Sequence, residues 1–315
     1  MNRAITINVE ADLIAARGAR NAVDPHVPYA FLVEPEYSSS GRVEDVATIF
    51  LTNRECPFKC VYCDLWKNTT PARVSAGAIP GQIDYALARL PPARHIKLYN
   101  SGNFFDPQAI PPEDFPAIAA RVQAFETVIV ENHPRLCGPA CLGFRNLLPP
   151  TCAFDVALGL ETAHAEVLAR LNKQMTLDDF RRAADGLRRC GMGVRAFILL
   201  KPPYMEDSVC VEWAVRSLEF AFDAGAECCV LIPTRGGNGY LDQLQRAGEF
   251  APPTLTALEQ ALDAGLQMGR GRVFADLWNI EQLAACRQCG PPRAARLNAM
   301  NLGQCVLPPE ITCCP

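Results

Sequence analysis

Short apolar runs alternate with longer amphipathic ones through most of the chain. The runs at 47–53 (ATIFLTN), 95–101 (HIKLYNS), 127–133 (TVIVENH), 153–161 (AFDVALGLE), 193–201 (GVRAFILLK), 228–235 (CCVLIPTR) and 272–278 (RVFADLW) are rich in β-branched and aromatic residues. Each ends in a polar residue or a turn signal, so each predicts a strand. Helical periodicity lies between them, near 79–90, 112–125, 163–172, 176–190, 207–224 and 254–268. Acidic residues stand near several of the starts, and Gly follows Cys190 and Ala224. Such alternation implies an α/β fold with a parallel sheet and right-handed crossovers, which a barrel and an open doubly wound sheet both satisfy. The Pro/Gly-rich stretches at 71–81, 134–150, 202–206 and 233–239 mostly follow strand ends, where such folds place their sites. Residues 1–44 read as an irregular N-terminal extension, 45–278 as the α/β unit and 279–315 as a cysteine-bearing C-terminal tail.

The odd cysteine count of one loop changes this picture. Cys56, Cys60 and Cys63, in ECPFKCVYCDLW, directly follow the first predicted strand. Thiolates are soft ligands suited to iron–sulfur clusters, zinc or cuprous copper. Three of them in one short loop can hold three corners of a cubane and leave the fourth iron open. The competing reading is a structural zinc whose fourth ligand comes from elsewhere in the chain.

Composition narrows the setting. At 315 residues and 49% hydrophobic content the chain can bury one large core. A formal net charge of -4 gives no sign of a strongly basic surface, so transfer RNA is not indicated by charge, although a local basic groove would be averaged away. No apolar run reaches the roughly 20 residues of a membrane span. The N-terminus lacks the apolar core of a secretory signal, which predicts a cytoplasmic protein. In a reducing compartment the 15 cysteines are metal ligands, reactive thiols or buried small residues rather than disulfides.

The tail carries a second cluster: the pair Cys286 and Cys289, then Cys305 and the adjacent Cys313 and Cys314. A Cys-x2-Cys pair chelates one metal well, so a zinc or an auxiliary iron–sulfur cluster would each fit Cys286, Cys289, Cys305 and Cys313. Cys137, Cys141 and Cys152 form either a partial site or buried packing, and Cys190, Cys210, Cys228 and Cys229 are expected in the core.

The spacing Cys56-x3-Cys60-x2-Cys63, with Tyr62 before the third cysteine, resembles the signature of the radical S-adenosylmethionine (SAM) superfamily. GLETAHAEVLARLNKQMTLDDFRRAADGLRRCGMGVRAFILLKPP resembles its elongator-subunit-like branch, and the combination of FLTNRECPFKCVYCDLWKNTT, NSGNFFDP and FADLWNIE is more similar still to the radical SAM partner of archaeosine synthase and its bacterial relatives. The resemblance covers about residues 45–278 and implies a partial (β/α)6 TIM-like barrel. It also implies a 4Fe-4S cluster on Cys56, Cys60 and Cys63, with SAM chelating the open iron.

Further site residues follow from it position by position. Ser101, Gly102 and Asn103 match the turn that receives the methionine amino group, although the usual Gly-Gly-Glu wording is absent. Glu131 and Glu161, at consecutive strand ends, match carboxylates for the ribose or the ammonium. Arg195 and Lys201 are candidates for a carboxylate contact, and Ile232 and Pro233 for packing on adenine, with Thr234 or Arg235 facing substrate. His133 and His164 are either proton donors or structural. The implied partners are a reductant protein of flavodoxin or ferredoxin type and a small-molecule or nucleoside substrate. The alternative class is a non-enzymatic iron–sulfur or zinc protein for electron transfer or assembly.

Overall fold

The structure is a computed structural model and describes residues 9–284, 286–310 and 313. One sheet carries β1 (Ala30–Tyr37), β2 (Val43–Phe50), β3 (His95–Tyr99), β4 (Thr127–Asn132), β5 (Ala153–Glu161), β6 (Gly193–Leu200), β7 (Cys228–Pro233) and β8 (Arg272–Ala275), in chain order. From β2 to β8 the strands are parallel, and all seven runs predicted above are present. The helices are α1 (Val9–Ala15), α2 (Ala78–Leu87), α3 (Phe115–Val122), α4 (Pro139–Arg145), α5 (Ala165–Arg170) and α6 (Leu177–Arg189), then α7 (Cys210–Asp223), α8 (Tyr240–Arg246), α9 (Leu255–Gln267) and α10 (Gly290–Gly303). Six crossovers join seven parallel strands, which is a (β/α)6 half-barrel.

The N-terminal segment departs from the sequence reading. Rather than an irregular extension, it supplies α1 and an eight-residue strand, β1, paired antiparallel with the whole of β2. Pro35 and two glutamates hide β1 from a pattern search. They are tolerated because β1 is an edge strand, where a missing N–H costs no ladder bond. Its Glu36 points into the sheet's curve, where Lys97 of β3 at 2.5 Å and Arg195 of β6 at 2.6 Å converge on it. Burial alone would raise the Glu36 carboxyl, but the Arg195 and Lys97 charges override it and hold it well below the usual carboxylate range. Arg195, the third residue of β6, therefore has its partner in Glu36, at the opposite end of the strand from the cysteine loop.

The other sheet edge is handled differently. α10 packs against both β1 and β8 and so bridges the open seam of the half-barrel. Two side-chain amides at its C-terminal end act as a surrogate strand. Asn301 accepts from Ala275 N at 2.9 Å and donates to Ala275 O at 2.9 Å, and Gln304 does the same for Val273 at 2.8 and 2.9 Å. Val273 and Ala275 are buried, so these peptide groups have no water to fall back on. Cys190, expected in the core, is exposed at the C-terminal end of α6, whereas Cys141, Cys152, Cys210, Cys228 and Cys229 are buried.

Replacing Asn301 or Gln304 by Ala leaves one N–H and one C=O of β8 unpaired. Equilibrium urea denaturation is expected to show a loss of about 1–3 kcal/mol for each variant; a change under about 0.5 kcal/mol would show that the edge is not held this way.

Candidate metal centre

Cys56, Cys60 and Cys63 sit on the loop leaving the C-terminal end of β2, so the half-barrel presents them over the ends of its parallel strands. The loop starts from a pinned position: Gln82 of α2 accepts from Thr52 N and donates to Thr52 O, both at 2.7 Å. Its far side rests on the segment after α5. Val61 N donates to Leu171 O at 3.0 Å, and Asn172 donates to Lys59 O at 2.7 Å. Asn238, between β7 and α8, donates to Val61 O at 2.6 Å.

Histidine 133 completes the seating. Its ring stacks on Phe58 with centroids 3.9 Å apart, its Nδ1 accepts from Arg135 N, and its Nε2 must then donate to Lys173 O at 2.9 Å. Burial, reinforced by the Lys173 charge, depresses it to about 3, so it stays neutral and structural. His164 is structural as well: it caps α5 by accepting from Val167 N and packs on Trp213.

Beneath the loop lies an ion pair that the sequence reading did not find. Lys173 Nζ donates to Glu161 Oε1 at 2.7 Å and to the Tyr62 hydroxyl at 3.4 Å, and both charged groups are buried. Burial alone would depress the Lys173 ammonium; the opposing charges of Glu161 and Cys60 hold it above the usual lysine value. Glu161 reaches the pair from a left-handed backbone (φ 68°) at a register shift in β5, and Lys173 lies between left-handed Asn172 and Gln174. Gly159 leaves the room, since a Cβ there would stand 2.1 Å from Glu161 Oε1 and 2.5 Å from Lys173 Nζ.

The turn after β3 abuts the first cysteine. Asn103 Nδ2 lies 3.1 Å from Cys56 Sγ, and the Ser101 hydroxyl is 2.8 Å from Tyr29 OH. Glu131 braces this turn from within, accepting from Asn100 N at 2.6 Å and Gly102 N at 3.4 Å. Burial pushes its carboxyl up to about 7, against the pull of those N–H groups. Ile232 and Pro233 end β7 beside Leu199 and Leu200 of β6. Lys201 is paired with Asp207, and Arg235 with Asp276 at 2.9 Å. The structure thus gathers Tyr62, Ser101, Gly102, Asn103, Glu131 and Glu161 around the loop, and sets Arg195 apart from it.

The residues present fit the cofactors the motif implies. Burial raises all three thiols, Cys60 to about 11 with Lys173 pulling back, so metal loading must displace their protons. A cleft of about 220 Å³ lined by Arg54, Cys56, Asp106 and Gln108 opens beside Cys56. At the strand ends, the Thr52 and Thr234 hydroxyls, Asn53 Oδ1 and both amide atoms of Asn100 are buried without a protein partner. An unsatisfied buried polar atom costs about 1–3 kcal/mol, and a cluster of them marks where a polar ligand binds.

Two variants test this geometry in the metal-free protein. Gly159→Ala drives a methyl into the Glu161–Lys173 pair and is expected to cost on the order of 3 kcal/mol by chemical denaturation; a near-neutral result would mean the pair is not closed in solution. For Glu131 the folded-state value lies above the unfolded one, so its stability contribution is full below about pH 4.5 and is lost as pH rises through 7. Glu131→Gln should flatten the fall in stability across that window by up to about 3 kcal/mol relative to the unmodified protein. Parallel pH–stability curves for the two would contradict it.

No protein-family model matches the chain. It is 26% identical over 175 residues to the archaeosine synthase subunit beta of Methanosarcina acetivorans, a match spanning 53% of this chain and 49% of that protein. The chain therefore spans about half the length of this relative. Among solved structures, methylornithine synthase (PylB) superposes with a TM-score of 0.53 over 78% of this chain and 69% of that one at 14% identity. Elp3 from Methanocaldococcus infernus does so with a TM-score of 0.50 over 71% and 58%, also at 14% identity. The chain thus shares its parallel half-barrel fold with these solved structures and is similar in sequence to the archaeosine synthase subunit beta.

Proposed function

We propose that this chain is a radical SAM enzyme that abstracts a hydrogen atom from a nucleoside or tRNA base, working beside a second polypeptide and a reductant of flavodoxin or ferredoxin type. The observation that carries the reading is the cysteine loop seated above buried polar atoms that have no partner in the protein. The substrate class rests on the relative named as an archaeosine synthase subunit, and the second polypeptide on its being a beta subunit.

Cys56, Cys60 and Cys63 would hold a 4Fe-4S cluster, which when bound with SAM supplies reductive cleavage to methionine and a 5'-deoxyadenosyl radical. The chain's own residues do the rest. Asn103 and the Lys173 charge support the Cys56 and Cys60 thiolates, and Glu131 keeps the 100–102 turn closed against the first of them. Ser101, Gly102 and Asn100 offer polar atoms to the methionine end, Ile232 and Pro233 an apolar face to adenine. Leu13 of α1 packs with Val61, Leu241 and Phe250 over the loop and excludes water from it.

Anaerobic reconstitution followed by dithionite and SAM is expected to yield 5'-deoxyadenosine, and Cys60→Ala to abolish it. An intact cluster that yields none would sink the enzyme reading and leave an electron-transfer or assembly role. Binding of bulk transfer RNA should weaken steeply with salt if RNA is the substrate; salt-independent or undetectable binding removes RNA and leaves a free nucleoside.

A further inference from the structure

The tail brings together three of its cysteines and leaves out a fourth. Cys286, just before α10, Cys289, at its N-cap, and Cys313 place their sulfurs within 4.8 Å of one another, with Cys286 and Cys313 3.4 Å apart. Cys305 lies past the C-terminal end of α10, beyond fourteen helical residues, or about 20 Å at 1.5 Å per residue. It cannot share this site, contrary to the expectation from sequence. Cys314 lies outside the described residues.

The spacing separates the metal classes. Around one zinc, thiolates at about 2.3 Å in a tetrahedron stand about 3.8 Å apart, which matches the observed convergence. Around a cubane each thiolate ligates a different iron, so the sulfurs stand wider than a single ion allows. A disulfide needs about 2.05 Å and would leave Cys289 out.

The surroundings favour thiolate. Backbone N–H groups of Gln288 and Cys289 are directed at the Cys286 sulfur, and Arg293, itself paired with Glu259 at 2.6 Å, contacts Cys289. The chain is also routed to bring Cys313 back. Arg296, 4% exposed, donates to the carbonyls of Leu307 at 2.6 Å and Pro308 at 2.9 Å, folding the tail along α10 toward its start.

We propose that Cys286, Cys289 and Cys313 form a mononuclear zinc site, separate from the cysteine loop, that clamps the tail to the start of α10, the helix that closes the seam between β1 and β8. The role is structural: a metal joining both ends of this helix–tail unit holds Asn301 and Gln304 on the β8 edge.

The experiment uses the full chain carrying Cys56→Ser, Cys60→Ser and Cys63→Ser, which removes the first site and makes the result independent of radical chemistry. Elemental analysis is expected to find about one zinc per chain in this variant. Adding Cys286→Ser and Cys289→Ser should abolish it, and cobalt in place of zinc should give the ligand-field bands of a tetrahedral thiolate site. Because the five-fold variant could misfold, the unmodified protein is also titrated with a mercurial in the presence of a zinc-sensitive dye, where zinc should appear as thiols are blocked. Zinc content unchanged by the tail substitutions would overturn the proposal. So would no dye response, an iron–sulfur absorption that survives the first-site substitutions, or a Cys286–Cys313 disulfide in peptide mass mapping.

Discussion

Taking a lysine and a glutamate out of water together costs several kcal/mol per ion, recovered only when the pair is close and its remaining donors are used. Lys173 and Glu161 meet that condition at 2.7 Å, and the seating of the cysteine loop follows from it. To bring the two charges together the backbone turns left-handed at Glu161, Asn172 and Gln174, and Gly159 gives up its side-chain space. Once Lys173 is fixed, its carbonyl orients His133, His133 stacks on Phe58, and the neighbouring Asn172 holds Lys59. The loop thus contacts the pair's own segment at three points, so a fault in the pair is transmitted to all three cysteines.

A second buried charge cluster explains the shape beneath. Glu36, Lys97 and Arg195 come from β1, β3 and β6, strands that share no direct ladder, so their attraction acts across the curve of the sheet. Removing the glutamate would strip Arg195 of its carboxylate and leave Lys97 only the half-exposed Glu34 at 3.6 Å, a loss larger than that of an exposed pair.

The parallel architecture was legible because strands buried on both faces read as continuous apolar runs; β5 matches its predicted span residue for residue. The cysteine loop was legible as a unit because its three thiols lie close together in sequence. What escaped is what depends on distant partners. Arg195 looked free to meet a ligand only because Glu36, its partner, lies in a strand whose pattern is broken by Pro35 and charges. Lys173 sits between two helices with no periodicity to mark it, and the φ values that aim it are invisible in sequence. Cys305 was grouped with the tail cysteines by proximity along the chain, which a fourteen-residue helix undoes.

The covering of the cysteine loop shows which forces hold it. Glu55 gathers Arg17 at 2.8 Å, Lys59 at 2.6 Å and Arg20, and so ties the chain after α1 to the cysteine loop. Partly exposed pairs of this kind contribute about 0–1 kcal/mol each and weaken with salt. Leu13, Val61, Leu241 and Phe250 are all at least nine-tenths buried in one cluster, and each such side chain contributes about 1.5–3 kcal/mol. Apolar contact therefore sets whether α1 stays on the loop, and the ion pairs set its register. Gly239 settles the fit, because any Cβ there would meet Ala16 O at 2.0 Å and lift α1 away. The cover is thus built from residues 13, 61, 239, 241 and 250, which no local pattern in the sequence connects.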